Sequence, residues 1–393
     1  FAEKLKFIDL FKIRGSFGLV GTDKVAGNQY LFDQTYPTGN GYSFGETHTG
    51  VGTIIEGPLG SPNVTWEKSR TIDIGLDINL FKNKISIVAD YFSTFRYDQL
   101  YESVSLPLIF GVGTSPSNIA EVRNRGLELE LGYNNNIGAF NYNIKGVLTY
   151  VKNKILYMGE PTQIYPWLAR TGQQIGQPFG YLFDGFYTEE NIPTSPKPGT
   201  QSEIIPGDLR YKDLNQDGVI DRYDMTAIGK PNTPNTTFGL NLGGSFKGFS
   251  FNILFQGTTG YSFSVLGTGI EPFQSQFQPV HQQSWTPATA STAKFPRLTS
   301  NPTTINSPTA YMSDFWLIDA TYLRLKTVEL GYQLPNKWLP LKLNNVRAYM
   351  SGYNLLTWTN YSLYQQDPEV TSNTAGDAYQ NQRVINFGLH IGF

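Results

Sequence analysis

Hydrophobic and polar residues alternate with a period of two along much of the chain. In residues 71–80 (TIDIGLDINL), isoleucine and leucine take every second position, and Asp73 and Asp77 lie between them. Residues 126–133 (GLELELGY) repeat the pattern, with Glu128 and Glu130 opposite the leucines. Because successive side chains of a strand point to opposite faces, this alternation predicts β-strands with one apolar and one polar face.

The alternation predicts about ten strands, and no helical period is sustained anywhere in the chain. Most of the strands are longer than the five or six residues typical of globular sheets. The predicted strands are residues 10–21, 66–80, 85–97, 121–134, 139–152, 236–246, 249–258, 316–333, 345–356 and 383–393.

The connections between these strands alternate between short and long. Short turns fall at 81–84, 135–138 and 247–248, with a moderate one at 335–345. The long connections are residues 22–65, 98–120, 153–235, 259–315 and 357–382. An antiparallel meander with its long loops at one end is typical of an outer-membrane β-barrel, in which those loops are extracellular. Loops of such length are unusual inside a compact domain, which disfavours a soluble sandwich or solenoid.

Aromatic residues near the predicted strand ends agree with a membrane barrel, because aromatic girdles mark both membrane interfaces. The last segment, INFGLHIGF, places Phe387, Leu389 and Ile391 on one face and ends on Phe393, as outer-membrane barrels commonly do. The candidate girdle residues are Tyr91, Phe92, Tyr133, Tyr150, Trp316 and Tyr332.

The composition excludes several classes of protein. The 393 residues carry a formal net charge of -2, so no global basic charge points to nucleic acid. The chain has no cysteine, which excludes a disulfide framework and thiolate metal sites. It contains no apolar run long enough for a transmembrane helix. The first residues, FAEKLKFIDL, contain neither an initiator methionine nor a signal-peptide pattern, so we expect a processed chain or a piece of a longer one.

Several motifs together resemble the C-terminal barrel region of the SusC/RagA family of TonB-dependent outer-membrane transporters of Bacteroidetes. They follow the family order along nearly the whole chain. The motifs are LFKIRGSFGLVG (10–21), NVTWEKSRTIDIGLDINLFKNKISIVADYF (63–92), VRNRGLELELG (122–132), GQQIGQPFGYLFDGFY (172–187), GDLRYKDLNQDGVIDRYDMTAIGKPNTP (207–234), SWTPATASTAKFPRL (284–298), SDFWLIDATYLRLKTVELGYQLP (313–335), VRAYMSGYNLLTWTNYS (346–362) and DPEV (367–370).

This resemblance implies an all-β transmembrane antiparallel barrel of 22 strands, of which residues 1–393 hold about the last ten. The plug and the first strands would be absent, and residues 153–235 would form a long extracellular loop. The resemblance also implies import of glycans or peptides across the outer membrane. The implied partners are a SusD-like lipoprotein on the extracellular face, TonB acting through the missing plug segment, and outer-membrane lipid.

The segment DLNQDGVIDRYD follows the twelve-residue pattern of a calcium-binding loop. Gly218 takes the position of the sharp turn and Ile220 the apolar position. Position 12 is aspartate rather than the usual glutamate, whose longer side chain binds with both oxygens. We expect one structural Ca²⁺ that orders the loop, although an Asx-rich turn that binds nothing remains the alternative. The expected ligands are the side chains of Asp213, Asn215, Asp217, Asp221 and Asp224 and the backbone carbonyl of Val219.

Signals for an enzyme are absent from the sequence. His48, His281 and His390 are isolated and lack the spacing of a zinc site. No nucleophile elbow or phosphate-binding loop occurs, and the paired Glu128 and Glu130 are explained by the wall of a water-filled barrel. The sequence predicts no catalytic residue and does not single out a substrate contact. A calcium-stabilised surface-binding or adhesion β-protein without transport is the competing interpretation.

Overall fold

The fold is seen in a computed structural model of the chain. Phe393, which closes the last predicted strand, lies outside the residues that the structure describes. Those residues are 7–23, 30–102, 109, 111–199, 203–265, 270, 273, 277–300, 304–339, 343–360, 364, 366–370 and 379–392.

Ten long strands form one antiparallel sheet in which each strand is hydrogen-bonded to its neighbours in the chain order. This order is a meander. It confirms the ten antiparallel strands that the alternation predicts and the all-β partial barrel that the resemblance implies. The strands are β1 (Ile8–Thr22), β2 (Glu67–Leu80), β3 (Ile85–Tyr101), β4 (Ser117–Ile137), β5 (Phe140–Tyr157), β6 (Thr236–Phe246), β7 (Phe249–Thr259), β8 (Tyr322–Gln333), β9 (Asn345–Thr359) and β10 (Val384–Gly392).

The outer face of the sheet is apolar and exposed. The strand register shows which side chains form a row across this face. It places Tyr91 opposite Leu127, and Leu127 opposite Tyr150. Similar rows cross the other strands, and many of their large hydrophobic side chains are more than 40% exposed. Among them are Ile13, Phe17, Ile72, Ile74, Tyr91, Leu127, Leu131, Ile144, Tyr150, Leu330, Phe387, Leu389 and Ile391. An exposed apolar face of this extent is the lipid-facing band of a membrane barrel.

The inner face is polar and carries paired charges. Arg14 of β1 contacts Asp77 at 3.0 Å and Asp90 at 2.7 Å, and therefore links three strands. Further along the sheet Lys145 lies 2.8 Å from Glu130. These residues occupy the positions that the sequence assigns to the polar face, so the lumen side of the wall is polar and charged.

The short turns between strands have the backbone conformation that tight hairpin turns require. Lys247 and Gly248, which join β6 to β7, both have positive φ, at 47° and 92°. Positive φ at both central residues is the geometry of the two-residue hairpin turn whose twist matches that of the strands. The other short connections are 81–84, 138–139 and 334–344, and all four lie at the same end of the sheet, opposite the long loops.

The predicted strand 316–333 is interrupted in the structure. Leu317–Asp319 pairs with Ser262–Ser264 in a separate two-stranded sheet, and the barrel strand begins only at Tyr322. Trp316 is consequently 2% exposed within a loop, and its prediction as a girdle residue is wrong. The side chain of Phe92 points to the lumen, because it lies opposite Asp73 and Gly126 on the inner face.

The helices in the described residues are short 3-10 turns of three to five residues. None of them is long and apolar enough to cross a membrane.

Candidate functional site

The two longest loops pack together at the end of the sheet opposite the short turns. The first loop comprises residues 158–235 and the second loop residues 260–321. Both contribute to a single buried cluster, which we call the shared core. It consists of Tyr181, Tyr187, Leu209, Tyr211 and Ile220 from the first loop, and Val265, Ile270, Val280, Phe295, Ile305, Tyr311 and Trp316 from the second.

Aromatic contacts bind the two halves of the shared core. The ring of Tyr211 stacks on that of Tyr311 with centroids 5.8 Å apart and planes 5° from parallel. The Tyr211 hydroxyl donates to the backbone carbonyl of Ile305 at 2.8 Å, so its one polar group is satisfied inside the core. Burial raises the pKa of Tyr211, and it raises the pKa of Tyr181 and of Tyr187 to about 12. All three side chains are therefore neutral across the physiological range.

A buried carboxylate connects the loops beside this core. Asp208 of the first loop is fully buried and accepts from Arg297 Nε at 2.7 Å through Oδ1. The same oxygen accepts from Asn306 Nδ2 at 2.7 Å, and Oδ2 accepts from the backbone N–H of Ile205 at 3.0 Å. A buried charge requires such partners, since an unpaired carboxylate away from water is costly.

The acidic segment 213–224 lies at the edge of the shared core and forms a closed loop. Asp213 accepts from the backbone N–H of Gln216 at 2.6 Å and from that of Gly218 at 2.8 Å. Gly218 has φ +87°, a conformation that glycine adopts without strain. These bonds form the tight first half of the loop, with Gly218 at its turn as the sequence predicts.

The second half of the acidic segment is held by Asp224, which is fully buried. Its Oδ1 accepts from the backbone N–H of Leu214 at 2.7 Å and its Oδ2 from that of Asp221 at 2.9 Å. Burial raises the pKa of Asp224, although the backbone N–H groups oppose that shift. Ile220 is 1% exposed and belongs to the shared core, so the acidic segment is attached to both loops.

The six expected calcium ligands all lie among the described residues. Among the described residues no group of three or more histidine, cysteine, aspartate or glutamate side chains lies close enough to hold a metal. The amide Nδ2 of Asn215 donates to Asp217 Oδ2 at 2.9 Å, and the backbone N–H of Val219 donates to Asp217 Oδ1 at 2.8 Å. The donor set still fits Ca²⁺ chemically, because it consists of oxygens that keep a second lone pair.

A third loop is fastened to the barrel wall through the segment 367–370 (DPEV). Arg324 of β8 is fully buried and reaches Asp367 at 2.7 Å and Glu369 at 2.9 Å. Glu369 also contacts Lys326 at 2.7 Å and accepts from the Tyr322 hydroxyl at 2.9 Å. These ion pairs attach the loop 360–383 to the lumen side of the wall. The hydrophobic periodicity of the sequence does not indicate this network.

The family of the chain follows from a comparison with known proteins. The model of the family described as "TonB dependent receptor-like, beta-barrel" matches residues 30–355, which is most of the chain. The chain therefore belongs to the TonB-dependent receptor family and is an outer-membrane β-barrel protein.

The chain is also similar to named relatives and to solved structures. TonB-dependent receptor P3 of Formosa agariphila is 28% identical over 425 residues, which cover 100% of this chain and 40% of the relative. TonB-dependent receptor SusC of Bacteroides thetaiotaomicron is 23% identical over 418 residues, covering 100% of this chain and 38% of that protein. The solved structure of the RagAB peptide transporter shares the fold, with a TM-score of 0.71 and 21% identity over 98% of this chain and 41% of that one.

This chain thus spans about 40% of the length of the relatives that it matches. Those relatives are named as receptors and transporters rather than enzymes. The outer-membrane location and the barrel fold apply to this chain.

Proposed function

We propose that this chain forms part of the wall and the extracellular mouth of a transporter that imports glycans or peptides across the outer membrane. The observation that carries the proposal is the combination of a charged lumen face with two long loops joined by a shared core. A lumen lined by paired charges suits a polar solute, and a joined pair of loops suits a solute gate or a platform for a lid.

Two partners belong to the same proposal. A SusD-like surface lipoprotein would cover the extracellular loops, and TonB would act through the plug of the complete protein. The shared core supports the first partner, because a preformed surface loses little conformational entropy when another protein docks on it. The similar solved structure is that of a peptide transporter, and the SusC relative is named only as a receptor, so both solute classes are to be tested.

Uptake by living cells tests the transport proposal. Cells with the complete protein should accumulate a fluorescent oligosaccharide or a fluorescent oligopeptide, and a protonophore should abolish the accumulation. A strain with the gene deleted is the control. Surface binding that is unchanged by the protonophore, with no accumulation of either solute, would instead support the adhesion interpretation. Affinity purification of the complete protein should also recover the lipoprotein in a stoichiometric amount.

We further propose that the acidic segment takes up one structural Ca²⁺. Asp213, Asn215, Asp217, Asp221 and Asp224 would offer side-chain oxygens and Val219 its carbonyl, and Asn215 would have to release Asp217. Calcium would neutralise the negative charge of the segment and order the first loop. Calorimetry of the chelated protein tests this point, with heat of binding below millimolar Ca²⁺ as the expected result. Asp217→Ala should remove the heat, and an unchanged titration would contradict the assignment.

A further inference from the structure

Four cations lie side by side on the outer face of the sheet, at the end from which the long loops emerge. Arg123 and Arg125 of β4 are paired in register with Lys154 and Lys152 of β5, so that each cation lies directly opposite another. We call these four residues the basic patch. Like charges directly opposite each other on neighbouring strands destabilise a sheet. A bound anion would relieve this repulsion.

The register shows that the basic patch faces outward, just beyond the lipid-facing band. Arg125 is two residues from Leu127, and Lys152 is two residues from Tyr150, so each shares the outer face of its strand. On β5 the band extends from Phe140 to Tyr150. This length matches the nine to eleven residues with which a tilted strand crosses a membrane. The cations consequently lie at the height of the lipid headgroups of the extracellular leaflet.

No acidic side chain in the described part of the chain neutralises the basic patch. The ion pairs among the described residues involve none of its four cations. Glu121, two residues from Arg123 on the same strand, takes no part in these ion pairs either. On the lumen face of the same strands the lysine is paired, because Lys145 contacts Glu130 at 2.8 Å. On these two strands the unpaired cations are thus on the outer side.

Neighbouring aromatic residues extend and shape the basic patch. The Phe95 ring lies between two guanidinium groups, with Arg70 Cζ and Arg123 Cζ each 5.6 Å from its centroid. A recess of about 510 Å³ opens at the patch. Its walls contain all four cations together with Tyr91, Leu127, Tyr150 and Leu156, so polar and apolar groups meet in one cavity.

We propose that the basic patch binds the phosphate groups of a glycolipid headgroup in the outer leaflet of the membrane. Arginine presents paired N–H donors that match a phosphate, and lysine adds a compact charge. The apolar residues of the recess contact the beginning of the acyl chains, which a free phosphate or a soluble acidic protein does not possess. The bound lipid removes the repulsion between the paired cations and fixes the height of this part of the wall in the membrane.

Native mass spectrometry of the complete protein, purified in detergent, tests the proposal. The probes are a bis-phosphorylated bacterial glycolipid and the same lipid after enzymatic dephosphorylation. We expect the wild-type protein to bind the phosphorylated form more tightly, and the double variant R125Q/K152Q to lose about thirtyfold in affinity for it. The control variant K12Q/K145Q removes the same charge from the lumen face and should bind like the wild type.

Equal binding of the two lipids by the wild-type protein would overturn the proposal, as would unchanged binding by R125Q/K152Q. A change of oligomeric state in that variant with lipid binding intact would assign the patch to a contact with a second copy and would also overturn it. Heat-dependent mobility on a gel shows whether the double variant folds. If it does not fold, the proposal is tested by comparing the affinities of the wild-type protein for the phosphorylated and the dephosphorylated lipid. Weakening of the phosphorylated complex by salt then supports the role of charge.

Discussion

Arg297 of the second loop donates to the fully buried Asp208 of the first loop, with Nε 2.7 Å from Oδ1. The two residues are 89 positions apart in the chain, yet they close the shared core from one side. The contact therefore joins the two longest loops directly.

Arg297→Met should separate the loops. It leaves the Asp208 carboxylate buried with too few partners, which costs about 3–5 kcal/mol when one member of a buried pair is removed. Hydrogen exchange should accelerate at residues 205–211 and 304–311 while the strands stay protected. Lys294→Met is the control, because Lys294 is exposed and the substitution removes the same charge. Equal exchange in the two variants would show that the ion pair does not hold the loops together.

Gly207→Ala should disturb the same interface by steric conflict. A methyl group at this position would lie 2.5 Å from the ring of Trp285, and the φ of +93° is itself unfavourable for alanine. We expect a destabilisation of at least about 1 kcal/mol, seen as a change in tryptophan fluorescence and faster proteolysis of both loops. Gly45→Ala is the matched control, since Gly45 has φ +71° with nothing within 4 Å. Comparable effects in both variants would assign the loss to backbone strain alone.

The contact between Lys230 and Asp319 should make the loop interface sensitive to acid. Burial tends to raise the pKa of Asp319, but bonds from Lys230 and Thr321 outweigh it and lower that pKa. A carboxyl group with a lowered folded-state pKa contributes stability above its unfolded value, here 3.8, and loses it as the pH falls through the folded value. Hydrogen exchange at 228–232 and 317–321 should therefore accelerate below about pH 4.

The variant Lys230→Met tests the cause of that acid sensitivity. It removes the partner at 2.7 Å, so the pKa of Asp319 should rise and the pH dependence near 4 should become shallower. Lys212→Met serves as the control, because Lys212 is an exposed lysine of the same loop. An identical pH profile in the wild type and in Lys230→Met would exclude this ion pair as the source.

Arg324→Met should release the loop 360–383 from the barrel wall. The substitution leaves Asp367 without its ion pair and Glu369 with Lys326 as its remaining ion-pair partner. The expected cost is about 3–5 kcal/mol for the docked loop. Proteolysis at 366–370 should become rapid while heat-dependent gel mobility shows an intact barrel. Lys326→Met removes only the more exposed partner and should have a smaller effect. A loop that stays protected in Arg324→Met would mean that other contacts fasten it.

The strands could be predicted from the sequence because their apolar faces repeat with a fixed period. Ile72, Ile74 and Leu76 show that period, and the structure places them on the outer face. The residues of the basic patch follow the same period, since Arg125 lies two positions from Leu127 and therefore on the same face of the strand. Its cations could have been noted as the outward positions next to the predicted Tyr150 girdle.

The shared core could not be predicted in this way. Tyr187, Leu209 and Ile305 lie in loops, in elements of three residues or outside any element, so no period relates them. Their contacts depend on how two distant loops meet. The same reason conceals Arg297, whose partner is far away in the chain. The acidic segment is recognisable from its spacing, but the burial of Asp224 depends on its neighbours in the fold.

The shared core has a consequence for exchanging loops between related proteins. A graft of residues 158–235 alone would bring Leu209 and Tyr211 onto a foreign second loop, and a mismatch there would expose apolar surface or bury unmatched polar groups. A chimaera that keeps its fold therefore has to exchange 158–235 and 260–321 together.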